Sequence, residues 1–377
     1  MEFKFQEGKR NFLVVNYETF QLEWTADFIN LVTDQVQIDF VVLDEVQFAR
    51  QRYEAESRMS NRRKHVNSLI SAALAENPDL RILAMSATPV VNNLLEAVKV
   101  LELIHPDKDF SGVPVGSSIA NAIGVHLLIK KYGIRYVPPY DRKLKPLSVA
   151  IDGQEWLDRL VGVRARDILQ MEQTLLEAKL RHLAEWVRRG TLIYTYYVSG
   201  IVEPLTRAVE NLGLKVRHFT GNDRVTVEEF VKDFNENRVD VLIGSAPVGT
   251  GVDGLQFVLD RIVFITLPWS HAEYKQIVGR LWRQGSAFES VDVIIPRVTL
   301  RQERVGQWSW DDQRLRCIEY KQTLADAALD GVIPRGKLPS REEMQKKSLE
   351  ALQVWAKNVS EGILPGDADQ EPTTLPS

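Results

Sequence analysis

Two neighbouring carboxylates follow a short apolar run in the first part of the sequence. The run Phe40–Leu43 leads directly into Asp44 and Glu45. Four consecutive apolar residues predict a buried strand, and ligands of open α/β sheets bind at the carboxyl ends of strands. An aspartate at such an end can hold Mg²⁺ through its oxygens, and the adjacent glutamate can polarise an attacking water. A solvated turn after a strand explains the same pair without any chemistry.

Two hydroxyl side chains end the next apolar run. Ile82–Met85 is followed by Ser86 and Thr88. These hydroxyls can hydrogen-bond the carboxylate-bearing strand, or they can cap a helix that begins near Asn92, as Ser and Thr often do. The residues alone leave both interpretations open.

A glycine-rich loop follows a third apolar run, Val241–Ile243. The loop contains Gly249, Gly251 and Asp253. Glycines allow backbone amides to approach a phosphate or a sugar closely. A loop that merely turns the chain would have the same composition.

An arginine pair lies on the segment that runs from Gln276 through Gly279 to Gly285. Arg280 and Arg283 are three residues apart, so on a helix they share one face. Guanidinium groups match phosphate oxygens and the charge that develops in phosphoryl transfer. A surface helix with two solvated arginines is the alternative.

A basic segment follows the acid pair. Its cations are candidates for contacts with a nucleic-acid backbone, whose phosphates attract Lys and Arg whatever the base sequence. A solvated helix face or loop is the more common explanation for such a run. The candidate residues are Arg50, Arg52, Arg62, Arg63 and Lys64.

Several apolar runs separated by helical patterns must position these groups. Continuous apolar strands that alternate with helices indicate parallel sheets covered on both faces, and therefore an α/β architecture. The predicted strands are Phe12–Val15, Phe40–Leu43, Ile82–Met85, Leu192–Tyr197, Val241–Ile243, Ile262–Thr266 and Val291–Ile295. The predicted helices are Asn93–Ile104, Val202–Leu212, Val227–Asn235, His271–Trp282, Asp311–Leu329 and Arg341–Val359. Gln154–Arg189 is predicted as one long helix or as two, with a weak point at Gly162.

Prolines and glycines are concentrated between Pro106 and Pro146, which predicts irregular structure between two lobes. The proline-containing tail from about Glu361 predicts disorder. The predicted organisation is a partial first lobe over 1–105, a linker or insert over 106–175, a second lobe over 176–300, a helical extension over 301–360 and a disordered tail over 361–377.

The composition is that of an ordinary globular protein of two or three domains. The 377 residues carry a net charge of −4, so any contact with nucleic acid must use local basic patches. The single cysteine, Cys317, cannot form a disulfide framework and is expected to be a small core residue in a reducing, cytoplasmic compartment. The sequence contains no apolar run near the roughly 18 residues of a membrane span, which argues against membrane insertion.

The order of these motifs resembles that of superfamily 2 helicases. The acid pair, the Ser-Ala-Thr strand, the glycine loop and the arginine helix are similar to their motifs II, III, V and VI. Flanking segments narrow the resemblance to the Swi/Snf DNA translocases. Asn11–Phe20 looks like motif Ib of that group, Thr88–Glu96 like its Thr-Pro-x-x-Asn-x-x-x-Glu run, and Leu267–Ser270 like its Pro-x-Trp segment. The resemblance covers about residues 11–105 and 180–296.

This resemblance implies two RecA-like parallel-sheet lobes, the first incomplete, with a helical C-terminal extension. It also implies a motor that couples ATP hydrolysis to movement on nucleic acid, with ATP and Mg²⁺ as cofactors and double-stranded DNA as the partner. Asp44 would hold the metal, and Glu45 would orient the water. The implied catalytic residues are Asp44, Glu45, Arg280 and Arg283, the coupling residues are Ser86 and Thr88, and the nucleotide contacts are Gln276, Gly249, Gly251, Asp253 and Gly279.

The sequence departs from the family in a part that the chemistry needs. Family members carry a phosphate loop, Gly-x-x-x-x-Gly-Lys-Ser/Thr, and no such string occurs in the sequence. Loss of its charge-assisted hydrogen bonds would weaken nucleotide binding by orders of magnitude. We therefore expect little ATP hydrolysis from the chain alone. An incomplete first sheet would also expose an apolar edge.

Three explanations of this departure remain open. A separate chain supplies the loop, the reading frame is truncated, or the protein is a relic. The alternative function is a non-catalytic DNA-binding or protein-interaction module. A smaller departure is Gln47, which stands where Asp-Glu-x-His versions of motif II have histidine.

Overall fold

The computed structural model describes residues 6, 8–137, 143–163, 167–221, 225–249, 252–302, 306–334 and 357. The chain divides into two compact units. Unit one comprises Met1–Arg135 and Thr323–Pro334, and unit two comprises Tyr136–Gln322 and Arg335–Ser377. The predicted helix Arg341–Val359 and the predicted tail lie outside the described residues, apart from position 357.

Unit one is built around two parallel strands, the ones that the first two apolar runs predict. β1 (Phe40–Leu43) pairs with β2 (Arg81–Ala84), with Val41 opposite Ile82. Val41 and Leu43 are buried on one face, where they pack with Val66 of a neighbouring helix. The helices of this unit are α1 (Thr25–Gln35), α2 (Asn61–Glu76), α3 (Leu94–Ile104) and α4 (Ile119–Tyr132).

The opposite face of the β1–β2 sheet is exposed. Phe40, Val42 and Leu83 retain 52%, 49% and 43% of their accessible surface. Successive side chains of a strand point to opposite faces, so these three share the face that α2 does not cover. Parallel sheets are ordinarily buried on both faces. The described part of unit one therefore leaves an apolar sheet face in contact with solvent.

A second core in unit one joins α3, α4 and the end of a long C-terminal helix. Leu94 and Val98 of α3 pack with Val125 of α4 and with Leu324 and Ala328. The last two belong to α11 (Trp310–Asp330), which confirms the helix predicted over Asp311–Leu329.

Unit two contains a seven-stranded sheet. Six strands pair in parallel in the order β3-β8-β7-β4-β6-β5, and β9 pairs antiparallel with the end of β8. The strands are β3 (Lys143–Asp152), β4 (Thr191–Tyr194), β5 (Val216–Phe219), β6 (Val241–Gly244), β7 (Arg261–Phe264), β8 (Ser290–Gln302) and β9 (Gly306–Trp308). The helices are α5 (Leu157–Val161), α6 (Ile168–Leu180), α7 (Leu183–Trp186), α8 (Val202–Asn211), α9 (Val227–Asn235) and α10 (His271–Val278). The predicted α/β class with parallel sheets is confirmed.

Both faces of the unit two sheet are buried. Ile193 and Ile243 pack into a core with α6 and α8 on one face. Leu192 and Leu242, one position earlier on the same strands, pack into a second core on the other face. This two-sided burial explains why β4 and β6 read as unbroken apolar runs rather than as alternating ones.

A buried ionic network ties the start of α11 to unit two. Lys179 of α6 donates to the carbonyl of Ile265 and to the Asp311 carboxylate, both at 2.6 Å. Trp310 Nε1 donates to Glu172 at 2.8 Å. Burial raises the pKa of Glu172 to about 6, against the lowering influence of Lys179. These bonds hold Trp310 in the unit two core, so this tryptophan serves packing rather than a partner surface.

Several sequence predictions are wrong in detail. Phe12–Val15 is not a strand, and Phe12 and Val14 remain 87% and 90% exposed, because β1 pairs only with β2 among the described residues. The segment between Pro106 and Pro146 contains α4 as well as loops, because Ser118 caps that helix and the prolines lie outside it. The sequence patterns missed β3, in which lysines and a proline interrupt the apolar run, and the four-residue β5.

Three further outcomes concern helices and the cysteine. The predicted helix over 154–189 is divided into α5, α6 and α7. Cys317 is only partly buried on α11, and burial raises the pKa of its thiol. Within the described ranges, no helix is both long enough and apolar enough to cross a membrane.

Candidate functional site

The acid pair lies where β1 ends, as the sequence predicts, and its backbone is unusual. Glu45 has a left-handed conformation with φ 48° and ψ 50°, which non-glycine residues rarely adopt and which costs about 1–3 kcal/mol. Two bonds hold it there. Glu45 N donates to Asp44 Oδ1 at 2.9 Å, and Phe48 N donates to the Glu45 carbonyl at 2.9 Å. The Asp44 side chain is exposed, and Glu45 is half-buried.

A chain of hydrogen bonds links Glu45 to the Ser-Ala-Thr segment. Gln47 Nε2 donates to Glu45 Oε2 at 2.5 Å, and Ser86 Oγ donates to Gln47 Oε1 at 2.5 Å. The chain continues to the Thr88 amide, which donates to Ser86 Oγ at 2.9 Å. Gln47 is buried, so an unpaired amide there would be costly. Of the two interpretations of Ser86, the structure therefore favours a hydrogen bond to the segment that carries the carboxylates over a helix cap.

Thr88 differs from Ser86 in its side-chain bonding. Its hydroxyl is buried, and within the described part of the chain it has no hydrogen-bond partner. The helix that Thr88 was a candidate to cap is capped instead by Asn93, whose side chain accepts from Glu96 N at 3.2 Å. Only the amide of Thr88 joins the chain of bonds described above.

Tyr17 is a neighbour of the acid pair that the residue patterns did not single out. Burial raises the pKa of its phenol to about 12, and the charge of Asp44 acts in the same direction. Its ring lies 6.1 Å from that of Phe48 and 6.0 Å from the Arg62 guanidinium carbon. The only hint in the sequence was its place in the segment that looks like motif Ib.

The five cations of the basic segment have different surroundings. Arg63 is buried, donates to the carbonyls of Ala49 and Lys99 at 3.4 Å and 2.7 Å, and has a pKa lowered to about 10 by burial. A buried guanidinium engaged with carbonyls is not available to a phosphate. Arg62 donates to the Phe48 carbonyl at 3.1 Å, and Lys64 is exposed on α2.

The remaining two members of that segment, Arg50 and Arg52, lie beside a buried carboxylate. Their Nε atoms are 3.8 Å and 3.9 Å from Glu96 Oε1. Glu96 belongs to the Thr-Pro-x-x-Asn-x-x-x-Glu run, but no local pattern predicts that it would meet residues more than forty positions earlier.

In unit two, Arg280 and the glycine loop contact each other directly. Arg280 donates through Nη1 to the Val252 carbonyl at 2.7 Å and through Nη2 to the Gly249 carbonyl at 2.5 Å. These bonds brace the loop on both sides of Gly251, which itself lies outside the described residues. Gln276 on α10 lies beside Gly249, where an added Cβ would come within 3.8 Å of its Oε1.

Arg283 has a more open position than Arg280. Its Nη1 donates to Asp253 Oδ1 at 2.9 Å, and the two side chains are 35% and 74% exposed. Asp253 also accepts from Gln256 at 3.0 Å, and that bond and the Arg283 charge lower its pKa. Gly279 ends α10, and a Cβ there would lie 3.0 Å from the Lys275 carbonyl.

The structure thus assembles two clusters. Unit one brings together Asp44, Glu45 and Ser86, and unit two brings together Arg280, Arg283 and the glycine loop with Gln276. Each cluster lies at the carboxyl end of a parallel strand, β1 or β6, where open α/β sheets bind their ligands.

Comparisons with known proteins agree with this description of unit two. Residues 178–285 match the family model described as Helicase conserved C-terminal domain. Those residues run from the end of α6 to just past the arginine pair, so they include β4 to β7 and α8 to α10. The comparison with curated proteins gives no match.

Solved structures of DEAD-box proteins are among those to which this chain is similar. The C-terminal domain of the DEAD-box protein Dbp5 has 15% identity and a TM-score of 0.28, with 41% of this chain and 76% of that one covered. A DEAD box protein from the hyperthermophile Methanococcus jannaschii has 16% identity and a TM-score of 0.35, with 79% and 61% covered. Dbp5 of S. cerevisiae bound to RNA and ADP BeF3 has 13% identity and a TM-score of 0.43, with 88% and 68% covered.

Residues 178–285 of unit two are similar to a helicase C-terminal domain, and the sheet of that unit is a parallel α/β sheet. This match agrees with the coarser part of the resemblance, a helicase-type fold, for that stretch of the chain. The chain spans only about three fifths of the length of the Methanococcus protein.

Proposed function

We propose that this protein is part of an ATP-driven, helicase-type motor that moves on nucleic acid, with double-stranded DNA as its track and the cytoplasm as its location. The observation that carries the proposal is the chain of bonds from Glu45 through Gln47 to Ser86. These bonds connect the side chain of Glu45, whose backbone is strained at the end of β1, to the segment that follows β2. Backbone strain of this kind is concentrated at functional sites.

Asp44 fits a role in holding Mg²⁺. Its carboxylate is exposed at the strand end, and Mg²⁺ is usually bound by one or two carboxylates together with substrate phosphates and waters. The described residues contain no cluster of three or more metal-ligating side chains. The ion, when bound with ATP, would neutralise charge on the phosphate oxygens.

Glu45 would orient and polarise the attacking water beside that ion. Its Oε2 is engaged by Gln47, which fixes the side chain and leaves the other oxygen, Oε1, to accept a hydrogen bond from water. Movement of the Ser86 segment would reach Glu45 through Gln47, and this is the proposed coupling of chemistry to motion.

The arginine cluster of unit two would serve the phosphate groups. Arg283, the more exposed of the pair, is the better placed to stabilise a transferring phosphoryl group. Arg280 would act mainly by holding the glycine loop, where Gly249, Gly251 and Asp253 would contact the nucleotide with Gln276. Gly279 would permit the close turn at the end of α10.

The exposed face of the β1–β2 sheet supports a further element of the proposal. A segment that carries the phosphate loop, supplied by a separate chain, would cover Phe40, Val42 and Leu83. The alternative function is a non-catalytic module that binds DNA or protein.

ATP hydrolysis tests the proposal. The purified chain would be assayed with Mg²⁺, ATP and duplex DNA, alone and with the polypeptide of an adjoining reading frame that encodes a strand, a phosphate loop and a helix. We expect background turnover from the chain alone, DNA-stimulated turnover from the mixture, and loss of that turnover in Glu45→Gln.

Two outcomes would contradict parts of this proposal. Strong hydrolysis by the chain alone would show that no second segment is needed. If neither preparation binds ATP or DNA, the motor is the wrong conclusion.

A further inference from the structure

An irregular segment joins β7 to α10 in unit two. Residues 265–270 follow Phe264, the last residue of β7, and end at Ser270, which caps α10. Most of the segment is buried, including Ile265 and Leu267 with 0% and 1% of their surface exposed. A buried segment of this kind needs other donors for its carbonyls, because it lacks the ladder or the helix that would otherwise supply them.

Three cationic side chains supply those donors, each to an alternate carbonyl of the segment. The donor–acceptor distances are 2.6 Å for Lys179 with Ile265, 2.5 Å for Arg314 with Leu267 and 2.7 Å for Lys321 with Trp269. A hydrogen bond with a charged donor is roughly twice as strong as a neutral one. Lys179 belongs to α6, and the other two cations belong to α11. The course of the segment is therefore held largely by α11.

Arg314 is the more deeply placed of the two α11 cations. It is 2% exposed, and its guanidinium carbon lies 3.2 Å from the centre of the Trp269 ring. Its Nε and Nη1 are buried and have no hydrogen-bond partner among the residues that the structure describes. Arg314 thus engages the segment twice, through one bond to the Leu267 carbonyl and through the ring of Trp269. Lys321 is half-buried.

The segment determines where α10 begins. Ser270 comes directly after Trp269, and its side chain caps α10 by accepting from Glu273 N at 3.2 Å. Gln276 lies on α10, and Arg280 follows the end of that helix by two residues. A displacement of the segment would therefore move the start of α10 and the functional groups that follow.

α11 lies beyond the stretch that matches the helicase C-terminal model, because that stretch ends at residue 285. The match includes the arginine pair and the irregular segment but neither of the α11 cations. The groups that hold the segment thus come from a different part of the chain than the motif that they support.

We propose that Arg314 and Lys321 are positioning residues for the arginine cluster of unit two. Their bonds to the carbonyls of Leu267 and Trp269 hold the segment from which α10 begins, and α10 leads to the arginine pair. The inference rests on the proposed function in the role of that cluster toward phosphate, whereas the positioning itself is measured without any nucleotide.

Amide hydrogen exchange of the full chain tests Lys321. Lys321→Met removes the charged donor and keeps a side chain of similar length. Loss of a charged hydrogen bond should raise exchange about tenfold at the Tyr274 amide, which donates to the Ser270 carbonyl, and at the Val248 amide of the glycine loop. Exchange at Leu242 should not change, because β6 is paired on both sides.

Two further variants of α11 provide the controls. Lys321→Arg keeps a cation at the same position and should restore wild-type exchange. Arg316→Ala changes an exposed arginine of the same helix and should leave exchange at all three amides as it is. Arg314→Met should have a larger effect than Lys321→Met, since Arg314 is the more buried. A thermal melt monitors folding, and if Arg314→Met does not fold, the Lys321 variants decide.

An Arg280→Ala background shows whether the effect reaches the glycine loop through α10. If it does, Lys321→Met should add nothing to the exchange of Val248 in that background, because two changes along one connected set of contacts are not additive. A general loss of stability would instead add to the exchange of Val248 in both backgrounds, and it would contradict the positioning role.

The outcomes distinguish this inference from the broader proposal. Unchanged exchange at Tyr274 and Val248 in Lys321→Met would overturn the positioning role, whatever the chain does with ATP. An equal rise at Leu242, or a Lys321→Arg variant that exchanges as fast as Lys321→Met, would overturn it as well. A chain with the expected exchange pattern that binds neither ATP nor DNA would contradict the motor and support the positioning of α10.

Discussion

β1 of unit one and β4 of unit two are both four-residue strands made largely of apolar residues, yet they have different surroundings. All four residues of β4 are buried, because α6 and α8 lie on one side of its sheet and the α9 and α10 region on the other. In β1, burial alternates, and Phe40 and Val42 face solvent. An apolar run therefore indicates that a strand would be stabilised by burial, whereas the neighbouring elements decide which of its residues are buried.

The two units also differ in where their polar and charged side chains form internal bonds. Unit one completes its bonds at the acid pair, from Glu45 through Gln47 to Ser86. In unit two, Arg280 donates to carbonyls of the glycine loop, and the buried Lys179 pairs with Asp311 of α11. We therefore expect substitutions in the core of unit two to change the stability of the whole unit. We expect substitutions at the acid pair of unit one to act mainly on the hydrogen bonds there.

The largest effect should come from the buried ion pair of unit two. Lys179→Ala would leave the Asp311 carboxylate buried without its cation, which typically costs about 3–5 kcal/mol. Hydrogen exchange of the β4 and β6 amides measures the loss in unit two separately from unit one. Arg159→Ala, which breaks an exposed pair with Glu177, is the control and should leave stability almost unchanged, because exposed ion pairs contribute little. Equal effects of the two variants on stability would contradict the expected difference between the buried and the exposed ion pair.

The sheets themselves offer the next comparison. Leu192→Ala opens a cavity in a sheet buried on both faces and should destabilise unit two by about 2–5 kcal/mol. Val42→Ala removes half-exposed methyl groups from β1 and should cost under about 1 kcal/mol. Urea denaturation with exchange readouts compares them. A large cost at Val42 would mean that the exposed face is covered in solution, for example by a second chain.

The pH dependence of unit two should reveal Glu172. Burial raises the pKa of this carboxyl to about 6, so the folded state holds its proton more tightly than the unfolded state does. Its contribution to stability is therefore present below about pH 4.5 and is lost as pH rises to about 6, by about 2 kcal/mol. Glu172→Gln should lack this fall and should be the more stable protein at neutral pH. Parallel pH profiles of the two proteins would contradict the assignment.

A smaller effect than those on unit two should come from the hydrogen-bonded site of unit one. Gln47→Ala removes the bridge between Glu45 and Ser86 and should cost about 1–2 kcal/mol. The Thr88 amide, which donates to Ser86, should exchange faster. Gln51→Ala provides the control, since that buried glutamine donates to the Tyr53 carbonyl rather than to the acid pair. Unchanged exchange at Thr88 would show that the Ser86 segment is held by other contacts.

Much of the fold could be predicted because its determinants are local. Six of the seven apolar runs form strands, five of them within three residues of their expected ends, whereas β8 continues seven residues further. α9 has the predicted bounds because Thr226 and Glu229 form a capping box. Phe12–Val15 failed because a strand needs a partner that local sequence does not supply. β5 was missed because only four residues separate its turns and because Arg217 and His218 interrupt the apolar pattern.

The candidate site divides in the same way. The acid pair, the Ser-Ala-Thr segment and the arginine pair were recognisable from the spacing of neighbouring residues. That Arg280 would brace the glycine loop, and that Arg63 would be buried, depends on carbonyls from other segments of the chain. The role of Gln47 as a bridge likewise required β2 to lie beside β1.

By itself, the sequence determined the α/β class, the positions of most strands and helices, and the order of the chemically capable residues, because these depend on neighbours a few positions apart. Tertiary structure alone decided which side chains meet. Glu96 attracts Arg50 and Arg52 across more than forty residues, and Lys179 meets Asp311 across 132. Whether a charged side chain pairs with another protein group depends on which groups folding brings within a few ångströms of it. No local pattern in the sequence encodes that distance.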